Sequence, residues 1–200
     1  MIFTVERLSN PEIEPMTLAE ARLALSEFAG VTDRDAEITA LITAAREWVE
    51  GFTGRTLIDT AWRLSLESET GDPPSSVNGI LLRRSPVLEV TRVDTGDADE
   101  DEIDVANYVV RDARTKFPRL VAIGGTSLAP TAGGVLRITF RAGYADLSDS
   151  SGSAADVPER FRTAMKWFML ANYDPDEQSE ARLERAEQII RPECADYGFA

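Results

Sequence analysis

Two hundred residues, with 35 Asp and Glu against 21 Lys and Arg, carry a net charge of -14 and are enough for a sizeable core without disulfide or metal staples. Such a surface repels phosphate backbones and disfavours general DNA binding, while no apolar run reaches the ~20 residues of a membrane span. The absence of histidine removes the commonest general base, and with it the Ser-His-Asp and Cys-His arrangements and imidazole metal sites. Cys194 alone allows no internal disulfide, which fits a reducing compartment, and the start MIFTVERL lacks a signal peptide's basic and long apolar regions. A chain that is soluble and cytosolic when made is expected.

Residues 1–16 contain Pro11 and Pro15 and read as an extended lead-in, with Ile2, Phe3 and Val5 able to lie along a neighbouring surface. Thr17 and Glu20 match a capping box opening a short helix to about Phe28, with Leu18, Ala21, Leu25 and Phe28 on one side and Gly30 ending it. The stretch from Asp33 to Ile58 is the organising one. Wound at about 100° per residue, Ile38, Leu41, Ile42, Ala45, Val49 and Phe52 share one face, with Trp48 on its margin. Asp33 and Asp35 supply acceptors and negative charge at its start, and Gly54 sits where a left-handed cap is expected. Arg46 and Glu50 are spaced to pair across one turn, an exposed pair contributing only ~0.3–0.5 kcal/mol.

From Thr56 the period changes to two. Trp62, Leu64 and Leu66 alternate with Arg63, Ser65 and Glu67, the pattern of a strand with one buried face. Further short antiparallel strands are predicted at Gly79 to Leu82, Val87 to Val93, Tyr108 to Arg111, Arg119 to Ile123 and Val135 to Arg141. Turn formers join them at 71–79, around Gly96 and at 124–134. Residues 146–156 read as a polar, mobile linker.

Pro158 opens another helix with Phe161, Ala164, Met165 and Phe168 as its main stripe, while Trp167 and Leu170 project from the other side. A helix apolar on two sides is covered on both; the second cover is either another subunit or the β part of the same chain. Asp174, Pro175 and Glu177 resemble the opening of a last helix reaching about Ile190, and the tail RPECADYGFA carries Tyr197 and Phe199 on a segment too short to bury them.

Motifs for chemistry are weak. Neither phosphate-loop nor dinucleotide glycine pattern occurs, and the glycine-flanked loop at 124–134 has no lysine to meet a phosphate. Asp97, Asp99 and Asp101 begin like a calcium loop, but Glu102 replaces the turn glycine and Tyr108 the bidentate glutamate, so a solvated acidic loop is expected. Cys194 lacks a neighbouring base and reads as structural or incidental. No cofactor, metal site or catalytic residue is expected.

The stretch AAREWVEGFTGRTLI (44–58) resembles the head-tail connector, or adaptor, family of long-tailed bacteriophages and gene transfer agents. The resemblance continues through PMTLAEARLAL at 15–25, the Trp62 strand, LLRRSPVLEVTRV at 81–93, FRAGYADL at 140–147, DVPERFRTAM at 156–165 and the Asn172-Tyr173 helix end. It implies an α+β fold, a helical bundle from N- and C-terminal helices with an inserted antiparallel β subdomain. A single adaptor domain over 1–200 is expected, with helices at 17–54 and 157–190, the β insertion at 55–145, the mobile linker at 146–156 and a docking tail at 191–200. The resemblance further implies a virion structural subunit, not an enzyme: a dodecameric ring between the portal ring and the tail-side neck (stopper) protein, lining a conduit that DNA passes without specific binding.

Such a subunit is assembled in the bacterial cytoplasm into the neck of a virus-like particle, with no membrane partner. The implied portal-binding residues are Ile189, Ile190, Arg191, Tyr197 and Phe199, and Trp167 and Leu170 are candidates for the subunit interface. Deleting 191–200 is expected to leave the domain folded and abolish portal docking. Two other classes fit the charge: an acidic inhibitor mimicking DNA, and a carboxylate-dependent metal hydrolase using the acids at 97–104.

Overall fold

The computed structural model describes residues 2–26, 32–67, 79–94, 102–128, 134–146 and 153–194. The chain divides into two compact units. Pro11–Ile58 with the described residues from Tyr144 to Cys194 forms a helical unit, and Asp59–Gly143 with the N-terminal residues up to Asn10 forms a sheet unit. Helices from both ends of the chain thus meet in one unit while the antiparallel strands lie between them in sequence, an α+β architecture.

The helical unit contains α1 (Leu18–Ala24), α2 (Asp35–Thr53), α3 (Glu159–Asn172) and α4 (Ser179–Ile190). The predicted stripe of α2 is buried at Ile38, Ile42, Ala45 and Val49, packed with Phe161, Ala164, Met165 and Met169 of α3 and with Ala186 and Ile190 of α4. Trp48 stacks on Phe52 of its own helix and, at 5.0 Å between ring centroids, on Phe168. Gly54 closes α2 in the left-handed conformation, at φ 69°. At the other end Arg34, not Asp33, is the capping residue, with no side-chain cap; Asp35 lies in the first turn, where Arg22 of α1 takes its carboxylate.

Arg46 and Glu50 correct the sequence reading. They are buried, not exposed, because Glu14 of the proline-rich lead-in lies over them: Arg46 Nε donates to Glu14 (2.8 Å) and Arg46 Nη1 to Glu50 (3.0 Å). Burial alone would lower the Arg46 pKa, but the hydrogen bond that Arg46 donates to Glu14 and the charges of Glu50 and Glu14 raise it, keeping the guanidinium ionised. The other Glu50 oxygen accepts the backbone N–H of Leu57 at 2.8 Å, tying α2 to the chain just beyond its cap.

The capping box at Thr17 forms as predicted, with the Glu20 N–H donating to the Thr17 hydroxyl and the Thr17 N–H to the Glu20 carboxylate. Phe28 and Gly30 lie outside the described residues. The Thr17 N–H first, then the Thr17 hydroxyl and Arg162, hold the Glu20 carboxyl below its ordinary value. A depressed carboxylate pKa contributes stability that is present above the unfolded value of 4.5 and lost as pH falls through the folded value. Glu20→Gln is therefore expected to be less stable than the parent near neutrality, with the gap narrowing in urea titrations at about pH 3. A gap equal at both pH values would refute this.

The strands of the sheet unit are β1 (Ile2–Arg7), β2 (Thr60–Glu67), β3 (Ile80–Leu81), β4 (Val87–Asp94), β5 (Tyr108–Arg111), β6 (Arg119–Ala122) and β7 (Val135–Ala142), all paired antiparallel. They form a four-stranded sheet in the order β1-β2-β7-β4 and a three-stranded sheet in the order β3-β6-β5. The lead-in is thus partly a strand: Ile2 to Arg7 pair with Glu67 to Trp62, and the neighbouring surface that Phe3 and Val5 lie along is this chain's own β2. Trp62, Leu64, Leu136, Ile138 and Phe140 fill the core between the strands, and two register shifts bend β4 along β7. Gly79, before β3, has φ +85° and no space for a side chain, since a Cβ there would lie 2.5 Å from the Leu120 carbonyl oxygen.

Residues 153–156, read from sequence as part of a linker, hold a 3-10 turn with Ser153 and Asp156 forming a capping box. The last helix begins at Ser179, later than predicted. Asp174 is drawn to Arg34 across the bundle at 3.3 Å, and Asp176 instead accepts from the Gln178 N–H and from Arg182, leaving the turn before α4 held by its own side chains.

Candidate functional site

The residues expected to dock a partner gather where α4 ends. Ile190 is fully buried in the helical core and Ile189 packs half-buried against it, so the two isoleucines fasten the end of α4 to the bundle. Arg191 leaves the surface, its side chain 71% exposed and 3.7 Å from Glu187 one turn back. A 3-10 turn at Arg191–Glu193 follows, in which the Cys194 N–H donates to the Arg191 carbonyl. Tyr197 and Phe199 lie outside the described residues.

Sequence reasoning missed Glu193. Its carboxylate receives Arg55 Nη2 at 3.3 Å and Arg160 Nη1, which joins the end of α4 to the segment after α2 and to the first turn of α3. Arg55 is almost wholly buried, and a buried guanidinium requires carboxylate company, which makes Glu193 more than a surface acid. Tyr144 lies beside this group: burial above all pushes its hydroxyl pKa up, with Glu193 adding to the rise and Arg55 and Arg160 opposing it. The signal in the sequence was the Pro192-Glu193 pair after an apolar helix end, a first-turn proline with an acid, but its partners are 33 and 138 residues away in the chain.

Trp167 and Leu170 are half-buried. Trp167 packs on the helical core, and the Leu170 carbonyl accepts from Arg182 of α4 at 3.1 Å. α3 packs on both α2 and α4, so the second cover foreseen for its apolar surface includes the last helix of the same chain. Of the acidic run, 97–101 lie outside the described residues; Glu102 lies 3.9 Å from Arg92, and Asp104 caps a 3-10 turn by accepting the Ala106 N–H. Among the described residues no group of three or more His, Cys, Asp or Glu is placed to hold a metal ion, and no helix is long and apolar enough to cross a membrane.

No family model matches the sequence, and no curated protein matches it. Solved structures do. A chain from the neck of an empty gene transfer agent particle, computed with C6 symmetry, superposes with a TM-score of 0.66 at 26% identity, over 92% of this chain and 94% of that one. The chain is a structural homologue of neck components of gene transfer agent particles. Chains from the virion of a native gene transfer agent particle (TM-score 0.62, 23% identity, 90% and 93% covered) and from a native particle's neck computed with C12 symmetry (0.61, 22%, 92% and 94%) share the fold. For this neck homologue the likeness spans both units, so the helical unit and the sheets belong to a recurring architecture.

Proposed function

We propose that the chain is a head-tail connector: a non-enzymatic subunit of a ring, twelve copies around, that sits between the portal ring and the tail-side neck protein of a gene transfer agent or phage particle. The observation that carries this is the likeness over nine-tenths of the chain to a component of a particle neck, at an identity above one quarter. The ring is supported by the sixfold symmetry with which that neck was computed, a symmetry compatible with twelve copies. A net charge of -14 suits a conduit, because phosphates repelled from every side pass without sticking. A channel lined mainly by arginine would speak against this part of the proposal.

The portal contact falls to Arg191 and the residues after it, Tyr197 and Phe199 included, with Ile189 and Ile190 anchoring the end of α4 behind them. Trp167 and Leu170 are proposed as part of the contact between copies through the part of each side chain that the bundle leaves open. The DNA-mimic and metal-hydrolase alternatives rest on charge alone, and the described acids of the run are engaged with Arg92 and in capping.

Particles from cells lacking this chain should have filled heads and separate tails, and adding the purified chain back should join them. Joined particles without the chain would refute the connector reading.

A further inference from the structure

We propose that the β5–β6 hairpin is one half of the contact between neighbouring copies and docks on a row of glutamates along α4 of the next copy; this rests on the ring assembly proposed above. The hairpin concentrates positive charge in an acidic chain, with Arg111, Arg114, Lys116 and Arg119 in the stretch 111–119 against the single acid Asp112. Arg111 lies directly opposite Arg119 in the strand pairing, an arrangement of like charges that costs stability within the fold. Arg111 and Arg114 are exposed and make no ion pair or side-chain hydrogen bond among the described residues. Along the same stretch of chain three apolar side chains face solvent: Phe117 (40%), Val109 (41%) and Ile123 (41%). Unfavourable charge crowding together with exposed apolar surface is the signature of a surface completed by something else.

The complement is present on the same polypeptide. Glu180 and Glu184 lie one turn apart on the exposed side of α4, with Glu177 one turn earlier at its entry, and none makes an ion pair among the described residues. Ala181, exposed next to this row, offers an apolar surface for Phe117. Arginine forks pair in two-pronged fashion with carboxylates, and two different patches of one chain meeting between copies form the heterologous contact that a closed ring requires. A DNA backbone would meet the arginines but leave Val109, Ile123 and Phe117 uncovered, so the second copy is the better occupant.

Two charge-reversed chains test this: one with Arg111→Glu and Arg114→Glu, the other with Glu180→Arg and Glu184→Arg. All four positions are exposed, and thermal melts by circular dichroism should match the parent. Each chain alone should associate on the order of a hundredfold more weakly and fail to join heads to tails in particles lacking the native chain. Mixed one to one, they should assemble again, because the reversed hairpin of one fits the reversed helix of the other while the remaining contact is native; the copies then alternate and the ring has an even number. Sedimentation at concentrations where the native chain forms rings, and tail joining in particles, give the readouts.

Reversed chains that assemble alone like the parent overturn the proposal, as does a mixture that fails to recover. So does a hairpin-reversed chain that keeps its ring but loses either binding to a short DNA duplex or attachment to heads, which assigns the hairpin to DNA or to the portal and leaves the connector reading standing. If the native chain itself neither forms rings nor joins heads to tails, both readings fall together.

Discussion

Glu50→Ala is expected to lower the stability of the helical unit by about 3–5 kcal/mol and its melting temperature by about 10 °C. Two losses coincide. Arg46, only 3% exposed, keeps Glu14 as partner but loses the fully buried carboxylate on its other side. The Leu57 N–H, which donates to Glu50 Oε1 at 2.8 Å, becomes a buried donor without an acceptor in a segment where Leu57 and Ile58 are fully buried. Glu50→Gln separates the two, since the amide oxygen can still accept from Leu57 while the charge is gone. Glu14→Ala should cost less, because Glu14 is 27% exposed and water replaces part of what it supplies. Urea unfolding followed by tryptophan fluorescence reads the unit directly, since Trp48 and Trp167 lie in it and Trp62 lies in the sheet unit. A loss under about 1 kcal/mol for Glu50→Ala would mean that the pair behaves as the exposed pair its spacing suggested.

That contrast shows what sequence patterns can and cannot carry. The stripe Ile38, Ile42, Ala45, Val49 was legible because period and burial are the same fact for a helix packed on one side, and β2 and β7 alternate for the matching reason. Burial of Arg46 was not legible, because it depends on Glu14, 32 residues earlier in a stretch whose prolines announce only that it is not a helix. The same prolines hid β1, although Phe3, Val5 and Arg7 already alternate with Ile2, Thr4 and Glu6 at the strand period.

At the last helix the capping pattern at Asp174 was real as sequence, yet a long-range partner won. Arg34 sits over the Tyr173 ring at 3.7 Å and takes Asp174 as its acceptor, moving the helix start to Ser179. The site fared similarly. The proposal that docking residues lie at the end of α4 comes only from resemblance, since no residue type there announces chemistry. Ile190 as an inward anchor and Glu193 as a buried arginine's partner required the packing itself. The hairpin arginines were visible as composition, but their meaning depends on register, which places Arg111 against Arg119.

Removing residues 195–200 is expected to abolish the joining of heads to tails, whereas removing 191–200 is expected to abolish joining and also to destabilise the helical unit. From the sequence alone the longer deletion is expected to leave the domain folded. Glu193 adds a cost to that expectation: it lies between Arg55, 5% exposed, and Arg160, and deleting it takes one carboxylate from a nearly buried guanidinium. The 191–200 truncation should therefore be less stable than the 195–200 truncation by about 2 kcal/mol, and Glu193→Gln in the full chain should reproduce most of that difference while still joining particles. Stability and docking are thus separable within ten residues. Urea melts of the three chains give the first quantity, and counts of tailed particles after adding each chain to connector-free heads and tails give the second. If the chain ending at Cys194 joins heads to tails as well as the full chain, the last six residues are not the docking segment; if Glu193→Gln melts like the parent, the arginines near it are satisfied elsewhere and the end of α4 is held by Ile190 alone.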